Sequence, residues 1–244
     1  MSRALTDYKV LTFDCYGTLI DWESGIWDAL QPLLLQNRCQ DVVRAEGLRL
    51  FAKHETHQEH TTPDMTYPDL LRHTHRGIAN ELKLETSDEL DIAFGQSVPF
   101  WPAFPDSADA LRRLKRHYRL VILSNVNRDG FAASNRRLGV EFDAIYTAQD
   151  IGSYKPNPAN FDYMLSHLQD DFGLAQTDIL HTAQSIHHDH IPAKRKGLDN
   201  AWIDRQRLSA GGSWGATANV SELPDYNFLF FTLMDMADAV EGTL

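Results

Sequence analysis

Asp14 ends a short apolar run, YKVLTFD, and Tyr16, Gly17 and Thr18 follow almost at once. A carboxylate is a weak nucleophile, but one held in place can form a covalent ester and release it in a second step. Gly17 permits a tight turn and the close approach of a ligand. The Thr18 hydroxyl is placed either to orient Asp14, to bind substrate, or to serve as a plain turn hydroxyl. The competing reading of Asp14 is a carboxylate that caps its own turn. Three further clusters carry chemistry: Ser124 and Asn125 in LSN, Lys155 in YKP, and Gln184, Ser185 and Asp189 in AQSIHHD. Ser124 and Asn125 offer a hydroxyl and an amide to an anionic group, or else cap the next helix. An ammonium about 4 Å from a carboxylate contributes on the order of 4 kcal/mol at an effective dielectric near 20. Lys155 is therefore the group to hold Asp14 ionised beside Asp189, unless it is an ordinary surface lysine. Lys155 also precedes Pro156, which sets its backbone near a helix start.

Each cluster needs an element to deliver it. YKVLTFD, RLVILSN, TDILHTAQS and NAWID read as buried strands with polar residues at their carboxyl ends. Helical patterns lie between them. DSADALRRLKRH has Asp106 as its expected N-cap and Ala108, Leu111 and Leu114 on its apolar face. PANFDYMLSHL places Phe161, Met164, Leu165 and Leu168 on one face. Alternating strands and helices imply right-handed βαβ units and a doubly wound parallel, Rossmann-like α/β sheet, with the ligand beyond the carboxyl ends of the strands. Residues 21–100 break the alternation. WDALQPLLLQ, VVRAEGLRLFAKHE and YPDLLRHTHRGIANELKL are amphipathic helices there, and FWPAFP is a stiff return connection. The expected layout is a core of residues 1–20 and 101–244 with a helical cap of 21–100 inserted after the first strand. GGSWG, residues 211–215, reads as a loop.

The four motifs, FDCYGTL (13–19), LSN (123–125), YKP (154–156) and AQSIHHD (183–189), resemble in order those of the haloacid dehalogenase-like superfamily, in particular the type II 2-haloacid dehalogenases. The resemblance spans the chain, including the helical insert between the first two motifs. It implies that Asp14 attacks the carbon bearing a halogen with inversion. Water near Asp189 then hydrolyses the aspartyl ester, and Tyr16 walls the pocket. Phosphatases of the superfamily usually carry a second aspartate where this chain has Tyr16, and a magnesium-holding aspartate where it has Gln184. A hard dication wants several anionic oxygens, and a halide leaves without a proton. Both departures favour displacement at carbon with no metal or cofactor. Two others weaken the substrate assignment. The cap stretch LFAKHETHQEH has no arginine to cradle a halide, and Ile186 stands where these dehalogenases usually have asparagine. Asn125 on the core and Lys53, His57 or Trp22 from the cap side are the candidates to replace that donor. The alternatives are hydrolysis of another small acid or a phosphate ester, and a non-catalytic binding protein on the same fold.

The rest of the chain narrows the partners. Acidic residues outnumber basic ones, 34 to 23, for a formal net charge of −11, which argues against nucleic acid. A small anionic organic acid remains the expected partner, because local cations and helix N-termini can set the field in one cleft. No apolar run is long enough to span a bilayer, and the first residues lack a signal-peptide layout, so no membrane is expected and the cytoplasm is the expected location. A homodimer is left open. His54, His57 and His60 read as a solvated helix face rather than a metal site. His187, His188 and His190 read as polar helix-start residues, with one of them a candidate base. Cys15 reads as a buried structural thiol.

Overall fold

The apolar runs become adjacent parallel strands. The computed structural model describes residues 3–213, 220 and 224–243. Among these residues the strands are β1 (Val10–Phe13), β2 (Arg119–Ser124), β3 (Ala144–Thr147), β4 (Ile179–Ala183), β5 (Asp199–Ile203) and β6 (Phe228–Phe230). They form one sheet in the order β3-β2-β1-β4-β5-β6, all pairs parallel. β1 and β4 are buried along their whole length, which is why they read as unbroken apolar runs rather than alternating ones. Phe13 pairs with Ile122 on one side and Thr182 on the other. The chain reverses its winding between β1 and β4, so Asp14 emerges at the switch point where open α/β sheets bind ligands.

Helices α5 (Ser107–Leu114), α6 (Arg128–Leu138), α7 (Ala148–Ile151), α8 (Pro158–Phe172), α9 (Ile191–Arg195) and α10 (Leu233–Gly242) connect and flank the strands. α8 buries Phe161, Met164 and Leu168 as expected, with Leu165 half-buried. It starts at Pro158 with Asn157 as N-cap, two residues past Pro156. On α5 the buried positions are Ser107, Ala110, Leu111 and Leu114, and Ala108 is only half-buried. Asp106 precedes α5 but does not cap it through its side chain. Its carboxylate instead accepts from the Leu233 and Met234 amides at the start of α10, at 2.8 and 3.3 Å, and from Arg205 at 2.8 Å. The acidic side chain serves another helix's free amides, where the dipole also favours it.

Four helices lie between β1 and α5: α1 (Trp22–Gln36), α2 (Arg44–Thr61), α3 (Tyr67–Leu82) and α4 (Asp88–Gly95). They pack on one another. α1 begins five residues before WDALQPLLLQ because Asp21 caps it, accepting from the Ser24 amide at 3.1 Å. α2 runs six residues past Glu55. The outgoing and returning connections pair side by side: Asp21 N donates to Pro102 O at 2.8 Å, and Phe104 N to Leu19 O at 3.0 Å. Trp101, 1% exposed, lies across Gly25 so closely that a Cβ there would sit 2.3 Å from its ring. Residues 211–213 of the expected loop are turn or irregular chain, and Trp214 and Gly215 lie outside the described residues. No helix among the described residues is long and apolar enough to cross a membrane.

Candidate active site

β1 delivers Asp14 to a cavity of about 90 Å³ between the strand ends and α2. The Asp14 amide donates to Thr182 O at 3.1 Å, anchoring the backbone to β4. After Asp14 the chain turns back on itself, Gly17 N donating to Ile20 O at 2.8 Å. Gly17 has φ +96°, and a Cβ there would lie 3.0 Å from Gln184 Oε1 and 3.1 Å from Trp22 Nε1. The conformation therefore favours glycine, and a side chain would also press on Gln184 and Trp22. Arg205 clamps the same turn from β5's end, donating to Thr18 O at 2.8 Å while its guanidinium stacks over Phe104 at 4.1 Å.

Lys155 is 1% exposed, and its ammonium makes three hydrogen bonds: to Asp14 Oδ1 at 2.9 Å, Asp189 Oδ1 at 2.7 Å and Leu123 O at 2.9 Å. All three of its donors are thus committed. Thr18 donates to Asp14 Oδ2 at 2.8 Å and accepts from the Gln184 amide at 2.9 Å. The Thr18 hydroxyl thus ties Asp14 to the start of the AQSIHHD segment. Asp189 sits on a π-helical turn, Ile186–His190, whose first residues are capped by the Ser185 hydroxyl. π-turns are uncommon and concentrate at functional sites. His181 on β4 donates from Nε2 to Asp189 Oδ1 at 3.1 Å, with its Nδ1 2.8 Å from Thr12 Oγ1. Asp189 Oδ2 is buried with no hydrogen-bond partner.

Burial pushes Asp14 above the usual carboxylate range and the Asp189 charge adds to this, with Lys155 pulling the other way. For Asp189 burial acts in the same sense but is outweighed by Lys155 and by the His181 hydrogen bond, so it lies below that range. Burial opposes the charge on Lys155, yet its two carboxylates raise it well above an ordinary lysine. His188 lines the cavity, and burial, reinforced by His187, lowers it to about 4, which leaves a neutral imidazole.

Tyr16, Asn125, Gln184 and Ser185 line the same cavity. The Asn125 amide is already engaged, accepting from Lys155 N at 2.7 Å and donating to Glu59 Oε1 at 3.0 Å, so it ties the core to α2. The Gln184 side chain bonds Gln206. Ser124 is buried with its hydroxyl accepting from Val126 N at 3.2 Å, a turn contact, and it is not among the lining residues. Trp22 lines the cavity, whereas Lys53 and His57 do not. Lys53 instead pairs with Glu81 at 2.8 Å on the exposed side of α2. The α2 face toward the site carries Ala52, Glu55, Thr56 and Glu59, spaced i, i+3, i+4 and i+7 as one helix face requires. Neither glutamate was singled out from sequence; two carboxylates at i and i+4 repel on a surface helix, and that mismatch was the available signal. Cys15 is fully buried and burial raises its thiol well above normal, consistent with a structural role.

No cluster of three or more His, Cys, Asp or Glu side chains among the described residues is arranged to hold a metal ion. Gln184, where the resemblance places a magnesium-holding aspartate in phosphatases, supplies a neutral amide bonded to Gln206.

A doubly wound parallel sheet with a buried aspartate–lysine–aspartate group at its switch point, closed over by cap helices, is the architecture of one class of α/β hydrolase. The chain belongs to that family: the model of the haloacid dehalogenase-like hydrolases matches residues 8–177. The L-2-haloacid dehalogenase of Xanthobacter autotrophicus superposes with a TM-score of 0.77 at 20% identity, covering 97% of this chain and 100% of that one. A defluorinating L-2-haloacid dehalogenase gives 0.76 at 20%, covering 98% of each chain. The HAD-hydrolase YfnB of Bacillus subtilis, bound to magnesium, gives 0.75 at 15%, covering 96% and 99%. No curated protein sequence matches the chain. Likeness at these identities establishes the fold, and the dehalogenases and the magnesium-bound hydrolase share it equally.

Proposed function

We propose that the protein is a hydrolase acting at carbon through an ester on Asp14, with hydrolysis of a short 2-haloacid to the 2-hydroxyacid as the reference reaction. Residues 1–20 and 101–244 form the catalytic core and 21–100 the cap. The observation that carries the reading is the three-way commitment of Lys155, whose ammonium bridges Asp14 and Asp189 at 2.9 and 2.7 Å. Lys155 opposes the effect of burial on Asp14 and so favours the ionised nucleophile in a dry site, and a binding module has no use for that.

In the first step an Asp14 oxygen forms a bond to the substrate carbon from the face opposite the halogen. The carbon–halogen bond breaks, and halide departs with the electron pair. No proton is needed, so Tyr16, whose hydroxyl is 2.9 Å from Ser134 Oγ, acts only as a wall. In the second step water attacks the Asp14 acyl carbon, the 2-hydroxyacid leaves, and the water's surplus proton passes to solvent. The unpartnered Asp189 Oδ2 is the acceptor available to orient that water, and His188 Nε2 is a further unpartnered polar atom of the cavity wall. Both steps use this chain's own residues and no metal.

A halide-release assay over a panel of short 2-haloacids, including (S)-2-chloropropionate, tests the reading together with Asp14→Asn. The wild-type chain is expected to release halide and Asp14→Asn to lose it by several orders of magnitude while keeping its fold, because an amide is not a competent nucleophile. Ordinary activity in Asp14→Asn would remove the assignment.

A further inference from the structure

The proposed reaction leaves the cap side of the cavity unused, and its chemistry is unlike what a simple haloacid needs. α2 presents Glu55 and Glu59, one helical turn apart, on the face that lines the cavity. The Glu59 side chain is 9% exposed; its Oε1 accepts from Asn125, while Oε2 faces His188 Nε2 at 3.8 Å. That nitrogen is buried with no hydrogen-bond partner, and the imidazole is neutral. Glu55 accepts from the Tyr67 hydroxyl at 2.6 Å. Asp189 Oδ2, on a side chain with no exposure, also lacks a partner. Among the described lining residues Lys155 is the only cation, and its donors are all taken. The cavity thus sets four carboxyl groups, Asp14, Glu55, Glu59 and Asp189, against one cation. The walls between them are aromatic: Tyr16, Trp22, Tyr67 and Trp101, with Tyr16 edge-on to Trp101 at 5.4 Å and Tyr67 edge-on at 6.4 Å.

Carboxyls that face one another in a closed space without a counter-ion are unfavourable in the free protein. Burial pushes Glu59 well above the usual range and Glu55 to about 7, which favours their neutral forms in the free protein, and a cation bound beside them would favour ionisation. A group with several N–H donors and a positive charge satisfies what is missing, since it can bond to carboxyl oxygens while lying against ring faces. We infer that Glu55, Glu59 and the surrounding aromatic rings form a subsite for a protonated primary or secondary amine, so that the preferred substrate of Asp14 carries an ammonium group. This rests on the Asp14 hydrolase reading and deepens it. A haloacid with no positive group leaves these buried carboxyls without a counter-ion on the cap side, where the related dehalogenases are expected to offer arginine.

The test uses three probes of matched size, n-propylammonium, n-propanol and propionate, with binding read by quenching of tryptophan fluorescence and by calorimetry on the intact protein. Propylammonium is expected to bind at least about 10-fold more tightly than either of the others, a difference of about 1.4 kcal/mol. The isosteric double variant Glu55→Gln/Glu59→Gln, checked for an unchanged circular dichroism spectrum, should lose that preference while keeping its affinity for propanol. Failure of propylammonium to bind, a preference for propionate, or full ammonium affinity in a folded double variant would each overturn the subsite. Asp14 acylation, read separately by mass, distinguishes the two readings. Acylation by purely anionic or neutral substrates, with no ammonium preference, keeps the hydrolase and removes the subsite. Ammonium binding with no acylation of Asp14 by any substrate, ammonium-bearing or not, removes the hydrolase assignment on which the inference depends.

Discussion

Lys155 donates to one oxygen of each of two carboxylates, and the two respond differently because their remaining contacts differ. Asp189 also receives His181 and lies below the ordinary range, so it stays charged under all working conditions. Asp14 has Thr18 and an anionic neighbour and is raised by burial, which makes it the acid that titrates first. Only the ionised form can attack carbon. As pH falls through the raised value Asp14 becomes protonated and kcat/KM should decline, with the acid limb lying above the ordinary aspartate value of about 3.9. Lys155, raised by its carboxylates, keeps its proton and contributes no loss in mildly alkaline solution. A pH profile of kcat/KM checks this, and an acid limb at or below the ordinary value would contradict the division of roles. His181 was invisible in the sequence for a physical reason: it occupies a buried position within an apolar strand, where a lone histidine reads as core.

The elements hold these groups through a few close packings. Gly25 on α1 lies under Trp101, so Gly25→Ala would force a methyl into the ring and require the cap to shift. Overpacking of this kind costs about 1–3 kcal/mol. The variant should show a lowered melting temperature and a raised KM, because Trp101 also lines the cavity; an unchanged enzyme would mean that the ring moves freely. The central strands β1, β2, β4 and β5 were legible because burial on both faces leaves an uninterrupted apolar run ending in polar residues. The edge strands β3 and β6 were not: they are four and three residues long, with Ile145 exposed in one and all of the other half-buried. Asp14, Lys155 and Asp189 were found by motif and do lie in hydrogen-bonded contact. On α2 the choice of Lys53 and His57 followed residue type, while helical phase puts Glu55 and Glu59 toward the cavity instead. Asp106 shows the same limit, since its sequence position is that of a cap for α5 but its carboxylate reaches α10.

The molecule as a whole places an acidic cavity beneath a helical cap, on a chain with a formal net charge of −11. Such a field concentrates cations in general, so a requirement for magnesium must be separated from non-specific attraction. With Lys155 bridging the two aspartates and Gln184 in place of a carboxylate, turnover after exhaustive chelation should equal that of the untreated enzyme. A clear stimulation by added magnesium would favour a phosphatase-like reaction on this fold. The central claim is the covalent ester on Asp14, and a single turnover in heavy-oxygen water addresses it most directly. With enzyme in excess over substrate, peptide mass analysis should find one heavy oxygen in the Asp14 carboxylate and none in the released hydroxyacid. Heavy oxygen in the product, with Asp14 unlabelled, would mean that water attacks the substrate directly and that Asp14 is not the nucleophile.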